Sequence, residues 1–468
     1  MSNIILTSKG IEDVNLTGNP EITHFKKVYR RHTPFSKTIK EIRSVRTDTI
    51  DFGREIKYKI LNEGDLLGDL FFEVDIECIN KSPGQAGDYT VNHFGNSLIK
   101  EVELRIAGKT IEKHTGQWLQ IYKELYDNKA DYYQQQSAEE GGRATQFNFS
   151  NGNFLFQNNT YMSKDMIPFG TDDRIVGDCP LVYGGSNNYE NTNIDDATVF
   201  FKKFYVPLRF WFNNHNGLQL PINSMPQIEI LLKLENLDKI QGKTTLELKL
   251  HDLKLWGKFI ILSQEERYRF KNNDIEYLIE QVNYIERDVT NVGYNGSLLD
   301  EIKIDLTFNH PTKYFVWALS NPGINGNNSG QGPCYFISLC NNSFLGNDCL
   351  KDKTEDPKAI LYIGSQEVTH EHSMSFYTRK LLKSYCKTKM PDLDRIGMYS
   401  IAINPFEYEP SGTMNLSTII NSEFRFNIAN NQMENIKTSN GRQFLYLFAM
   451  SYNILKISNN DAYLKYVS

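Results

Sequence analysis

An all-β protein built as two sandwich-like halves is what the 468-residue sequence predicts, on three observations. Apolar and polar residues alternate at period two. Leu70, Phe72, Val74, Ile76 and Cys78 fall on one face and Glu73, Asp75 and Glu77 on the other, the pattern of a half-buried antiparallel strand. Aromatic residues make up 12%, with 26 Tyr and 28 Phe, and Asn is abundant; strands favour the former and turns the latter. The length exceeds the ~250 to 300 residues at which a single core stops growing, so two domains are expected.

The net charge of −6 and sequence pI near 5.9 argue against a protein that coats itself in nucleic acid, which needs a basic surface. Cysteines at 78, 179, 334, 340, 349 and 386 form no CxxC pair and no zinc spacing. They read as free thiols of a reducing cytoplasm or nucleus, with a disulfide among Cys334, Cys340 and Cys349 left open. The opening MSNIILTSKGIEDV has too short an apolar run for a signal peptide. No segment approaches the roughly 18 apolar residues of a membrane span. A soluble chain without a standard secretion signal is expected, so sequons such as Asn415 carry little weight.

Taken in order, the chain begins with Leu16 to Ser36, LTGNPEITHFKKVYRRHTPFS. Gly18, Asn19 and Pro20 make a turn, and Pro20 cannot donate to a ladder. Ile22, Phe25, Val28 and Tyr29 then fall at helical spacing while Lys26, Lys27, Arg30 and Arg31 point elsewhere, suggesting a short amphipathic turn or arm. Eight Lys or Arg lie between Phe25 and Arg46 against one acid, Glu41. Such a segment either caps its own domain with a solvated charged face or meets an anionic surface with salt-dependent strength.

After the strand from Leu70, Val102, Leu104 and Ile106 alternate, and Ala107, Gly108 and Lys109 reverse the chain into a hairpin. Trp118, Ile121, Tyr122, Leu125 and Tyr126 fall at i, i+3, i+4, i+7 and i+8, a short helix. Residues 128–198, rich in Asn, Gly and Gln, make a loop far longer than an ordinary connection. The aromatic stretch FKKFYVPLRFWF and the alternation Ile228, Ile230, Leu232, Leu234 follow. The polar residues 237–245 read as a linker. Leu246, Leu248 and Leu250 slip by one at His251 and Asp252 before Leu253 and Leu255, which reads as a β-bulge. Ser263 with Glu266 forms a capping box that starts a helix through EERYRF. Further alternations at 302–308, 314–319, 360–363, 399–403 and 444–452 supply a second set of strands. A weak internal echo joins the halves: Phe210 to Phe212, Gly217 and Ile228 are matched by Ile401 to Ile403, Gly412 and Phe424. With the length, it favours tandem sandwiches of the jelly-roll kind.

Motifs of chemistry are weak. Gly108, Lys109 and Thr110 lack the earlier glycine of a phosphate-binding loop, and so do Gly242, Lys243 and Thr244. His370 and His372 would share a strand face but have no third ligand at a telling spacing. Asp392 and Asp394 sit in a turn, MPDLDRIG. No GxSxG, HExxH or Cys/His nucleophile context occurs.

Three segments carry a resemblance. LTGNPEITHFKKVYRRHTPF, EERYRF with EYLIEQV, and INPFEYEPSGTMNLSTI stand in order across nearly the whole chain. Together they resemble the major capsid proteins of nucleocytoplasmic large DNA viruses. The resemblance implies two tandem eight-stranded jelly-roll β-sandwiches with short helices and long loops. Residues 1–36 would be an N-terminal arm, 37–236 the first jelly roll and 246–468 the second, with 128–198 an outward tower. It implies a homotrimer with pseudo-hexameric outline that tiles an icosahedral shell beside neighbouring capsomers and minor capsid proteins. No cofactor, metal, catalysis or specific nucleic acid is implied. The arm, through Asn19, Pro20, Phe25, Lys26, Lys27, Tyr29, Arg30 and Arg31, would meet an inner partner or an internal membrane surface, with Phe25 and Tyr29 as anchors. A β-sandwich carbohydrate-active enzyme or lectin is the alternative, but no sugar chemistry requires both LTGNPEITHFKKVYRR and EPSGTMNLS.

Overall fold

The computed structural model describes residues 19–27, 29–45, 50–80, 94–126, 133–135, 145–147, 198–240, 246–289, 299–320, 332–334, 336, 357–386, 395–429, 444–458 and 460–466. By compactness the chain divides into residues 1–35 and 36–468. In the larger unit, strands of the first half are β1 (Phe35–Ile42), β2 (Glu55–Ile60), β3 (Leu66–Asn80), β4 (Ile99–Ile106), β5 (Lys109–Thr115), β6 (Thr198–Pro207), β7 (Ile228–Leu234) and β8 (Leu246–Leu262). They form two sheets, which run β1-β8-β3-β6 and β2-β7-β4-β5. The alternating residues expected to point inward do so. Leu70, Phe72, Val74 and Ile76 of β3 meet Val102 and Leu104 of β4 and Ile230 and Leu232 of β7 in one core.

The second half repeats the plan. Its strands are β9 (Ile275–Asp288), β10 (Leu299–Asp305), β11 (Pro311–Ser320), β12 (Lys358–Ile363), β13 (Gln366–Ser373), β14 (Ile396–Ser400), β15 (Glu423–Ala429) and β16 (Phe444–Ser458). The sheets run β9-β16-β11-β14 and β10-β15-β12-β13, so adding eight to each strand number of the first half gives the second. This is a double jelly roll. The echo between the halves is structural as well: Leu220–Pro221 pairs with the start of β3, and Met414–Asn415 pairs with the start of β11.

Local chemistry accounts for the joints between strands. Ala107 (φ +50°) and Gly108 (φ +77°) take left-handed conformations between β4 and β5, the twist that a two-residue hairpin requires. The bulge falls between Leu250 and Asp252. Ser263 caps α2 (Gln264–Asn272) by accepting from the Glu266 amide at 3.4 Å. The helix from Trp118 is α1 (Gly116–Tyr126).

One expected boundary moves. Residues 246–262 were expected in the second roll, yet β8 pairs with β3 from Leu246 opposite Asn80 to Ile260 opposite Leu66. Leu248, Leu253, Leu255 and Phe259 enter the first core. The polar residues after β7 therefore connect two strands of one roll, and Ile240, in the helical turn Leu237–Ile240, is buried in that core. Pairing within the first roll ends at β8, and α2 leads into β9. Residues 241–245, most of 128–198, and Asp392 and Asp394 lie outside the described residues.

Candidate functional site

The basic arm is the first candidate. Asn19 adopts φ +47°, in keeping with a turn ahead of Pro20. Residues 24–26 turn again, and the Phe25 amide donates to Thr23 Oγ1 at 3.3 Å. No helix forms among the described residues between Asn19 and Pro34, and Val28 lies outside them. Eight residues with one apolar stripe cannot repay helix nucleation unless that stripe is buried, and Ile22, Phe25 and Tyr29 are 75%, 100% and 80% exposed. Lys26, Lys27, Arg30 and Arg31 are not brought to any acidic group by a described ion pair. The arm thus presents aromatic and basic side chains together.

The second candidate, which the sequence reading missed, is the joint between rolls. Trp118, Ile121, Tyr122 and Leu125 of α1 project from the first roll onto the outer face of β9-β16-β11-β14. There they meet Val282, Tyr314, Val316, Phe448 and Met450, with Trp118 and Phe448 centroids 5.4 Å apart. Tyr126 and Tyr314 hydroxyls lie 2.5 Å apart, and burial drives both phenols well above the usual tyrosine range. Gln281 Nε2 of β9 donates to the Ile111 carbonyl of β5 at 2.6 Å.

Buried charge borders this joint. Lys313 is all but enclosed, and donates to Glu280 Oε1 at 2.5 Å and to the Glu407 carbonyl at 2.6 Å. Burial pushes the Glu280 carboxyl up, against the pull of Lys313, and Glu112 pushes it the same way. Burial likewise raises Glu112, partly offset by His114, whose Nε2 lies 2.8 Å from Glu112 Oε1.

Two of the three motifs are parts of these supports. In EERYRF, Arg267 reaches Asp65 with Nε at 2.7 Å and Nη2 at 2.9 Å, a fork geometry that ties α2 to the first roll. In INPFEYEPSGT, Phe406 packs edge-on against Tyr126 at 4.9 Å, and Tyr408 stacks on His215 at 4.8 Å while donating to the Leu278 carbonyl at 2.8 Å. These residues are where they are because they hold the two rolls together.

Elsewhere the weak chemical motifs find structural roles. His370 pairs with Glu367 at 2.9 Å on an exposed strand, and His372 stacks on Phe376 at 4.1 Å. No cluster of three metal-ligating side chains occurs among the described residues. No helix of the described residues is long and apolar enough to cross a membrane. Cys334 and Cys386 are free thiols, with Cys334 pushed up to about 12 and Cys386 to about 11 by burial.

Comparison with known proteins agrees with this architecture over the whole chain. Residues 23–249 match the model of the major capsid protein N-terminus, and residues 266–462 match that of the large eukaryotic DNA virus major capsid protein. The chain is 27% identical over 471 residues to the major capsid protein of Pyramimonas orientalis virus, covering 98% of each. It is 26% identical over 503 residues to the major capsid protein of Paramecium bursaria Chlorella virus 1, covering 99% of this chain and 98% of that one. In three dimensions it is similar to PBCV-1 VP54 as fitted into a reconstruction of the virophage Sputnik, with TM-score 0.66, 21% identity, and coverage of 95% of this chain and 100% of that one. The Faustovirus major capsid protein gives TM-score 0.65 at 12% identity over 96% and 95% of the two chains. With both halves matched by capsid models and full-length relatives of one kind, the chain belongs to the major capsid protein family of large eukaryotic DNA viruses, and its role is that of a structural subunit of the virion.

Proposed function

We propose that the chain associates as a homotrimer with pseudo-hexameric outline, and that these capsomers tile an icosahedral shell. The observation that carries this reading is the repeated strand order, β1-β8-β3-β6 against β9-β16-β11-β14. Two copies of one unit in tandem are a natural building block for a closed ring of six units from three chains. The two rolls are its two domains, and α2 with its flanks joins them. The subunit acts through contact surfaces, without catalysis, cofactor or metal, and is made in the host cytoplasm before assembly. Electron-microscope class averages of the purified chain test the reading directly. Six lobes in a near-hexagonal outline are expected, and two-lobed single particles would overturn it.

The N-terminal arm is proposed to bind at the inner base of the capsomer, where Phe25 and Tyr29 anchor it in a minor capsid protein or at an internal membrane surface. Its exposed aromatic and basic residues support this: apolar side chains left in water alongside cations suit an interface. Deletion of residues 1–36 leaves both rolls folded and lowers the yield of closed particles. An unchanged yield would refute the role of the arm.

A further inference from the structure

One lysine in a described ion pair is taken out of water. The Lys313 side chain is 1% exposed, whereas the other paired lysines range from 23% to 54%. Its partner, Glu280, lies on a different strand and not on a neighbouring one, because β9 and β11 both pair with β16 between them. Glu280 stands opposite Tyr452 of β16. Lys313 falls in the register shift between Thr312 and Tyr314, where the ladder to β16 slips. Its carbonyl accepts instead from the Ile401 and Ala402 amides, at 3.0 and 3.1 Å. The two side chains thus reach toward each other from either side of β16. Lys313 Nζ lies 5.4 Å from the Tyr452 ring centroid and 2.5 Å from Glu280 Oε1.

An ion pair in such a place sets the attraction of its charges against the cost of stripping water from both. Burial favours the uncharged form of the Glu280 carboxyl, and Glu112 adds to that preference against the pull of Lys313. The amine is also fixed in position: the Glu407 carbonyl takes another of its hydrogens at 2.6 Å. An amine and a carboxyl held in contact, away from water, have already lost the freedom that a reaction between them would cost. A lysine amine out of water is a competent nucleophile toward a carbonyl carbon.

We propose that Lys313 and Glu280 condense to an intramolecular amide, which straps β9 to β11 across β16. One ammonium proton passes to the carboxylate, giving a neutral amine and a carboxylic acid. The Nζ lone pair then forms a bond to Glu280 Cδ. The bond from Cδ to the hydroxyl oxygen breaks, and the hydroxyl leaves with a second proton from the nitrogen as water. Nothing is oxidised or reduced, and no co-reactant is consumed. The amide nitrogen keeps one hydrogen, for which the Glu407 carbonyl is the acceptor already in place. Condensation removes two charges from a buried site and releases a water molecule, both of which favour the product there. The strap lies on the sheet that α1 latches to the first roll, since Val282, two residues beyond Glu280 on β9, packs in the joint. It would hold the flanking strands together even when the hydrogen bonds of β16 open.

Intact-mass measurement of the full chain under denaturing conditions, followed by tryptic mapping, tests this. The wild type is expected to be lighter than its sequence by one water, about 18 Da, and to yield a branched peptide joining Lys313 to Glu280. Lys313→Arg keeps the positive charge but removes the condensing amine, so this variant has the full mass of its sequence and no branched peptide. A wild type with the full mass of its sequence and no branched peptide would overturn the proposal, whatever the fate of the variant. So would a deficit of one water that persists in Lys313→Arg.

Discussion

At the residue scale, the joint between rolls places ionisable groups where water is scarce. Glu112 illustrates the consequence. Burial raises its carboxyl above the ordinary 4.5, and His114 offsets this only in part. A folded-state value above the unfolded one means its contribution to stability is fully present below the unfolded value and is lost as pH rises through the folded value. Glu112→Gln holds the position neutral at every pH, so the stability of the variant relative to wild type should climb as pH rises above 4.5. Chemical denaturation at a series of pH values measures this, and parallel curves for the two proteins would contradict it. The sequence shows Glu112 and His114 two apart on an alternating stretch, which says that they share a face. It does not say that the face is covered, because the covering group comes from elements about 100 and 170 residues later, around Phe210 and Glu280.

At the element scale, strands with one wet face were legible and strands with two dry faces were less so. The alternation of β3 reports its burial directly, residue by residue. By contrast β11, PTKYFVWALS, is buried almost end to end, because Phe315, Trp317 and Leu319 fill the second core while Tyr314, Val316 and Ala318 lie under α1. Its near-continuous apolar run is the signal that could have found the joint, since a strand buried on both faces loses its alternation. The close packing is visible at Gly397, where an added Cβ would come within 2.3 Å of the Trp317 indole. The position of β8 was hidden for a different reason: the sheet that a strand joins is set by long-range pairing, and the polar stretch before it looks the same whether it links domains or strands. The arm is helical in spacing, but its apolar residues Ile22, Phe25 and Tyr29 are exposed. The latch makes a prediction at this scale. Trp118 is almost wholly buried against Phe448, so Trp118→Ala should cost about 3 to 5 kcal/mol by leaving a cavity. Because the cavity lies between the rolls, calorimetry should show the single transition of the wild type broaden or split. A variant as stable as wild type would remove α1 from its role as a latch.

At the scale of the whole molecule, the repeat organises everything else. A jelly roll has two sheets and therefore two outer faces, and the chain covers one such face with a helix from its other half. The corresponding face of the first roll keeps an apolar row, Trp256, Phe71 and Pro207, at the surface, with Glu73 and Glu77 of β3 set opposite Lys254 and Lys249 of β8. For the proposed trimer to form, each end of the two-unit repeat must offer a surface to the next copy, and the angle between the units must let the chain of contacts close. The conspicuous histidines are engaged by an exposed glutamate and a phenylalanine ring. The central claim is therefore one of stoichiometry, and light scattering coupled to size exclusion tests it most directly. The account predicts a species of about 162 kDa, three times the 54.1 kDa of one chain, that dissociates on dilution or at raised salt. A mass of 54.1 kDa at every concentration and salt would contradict it.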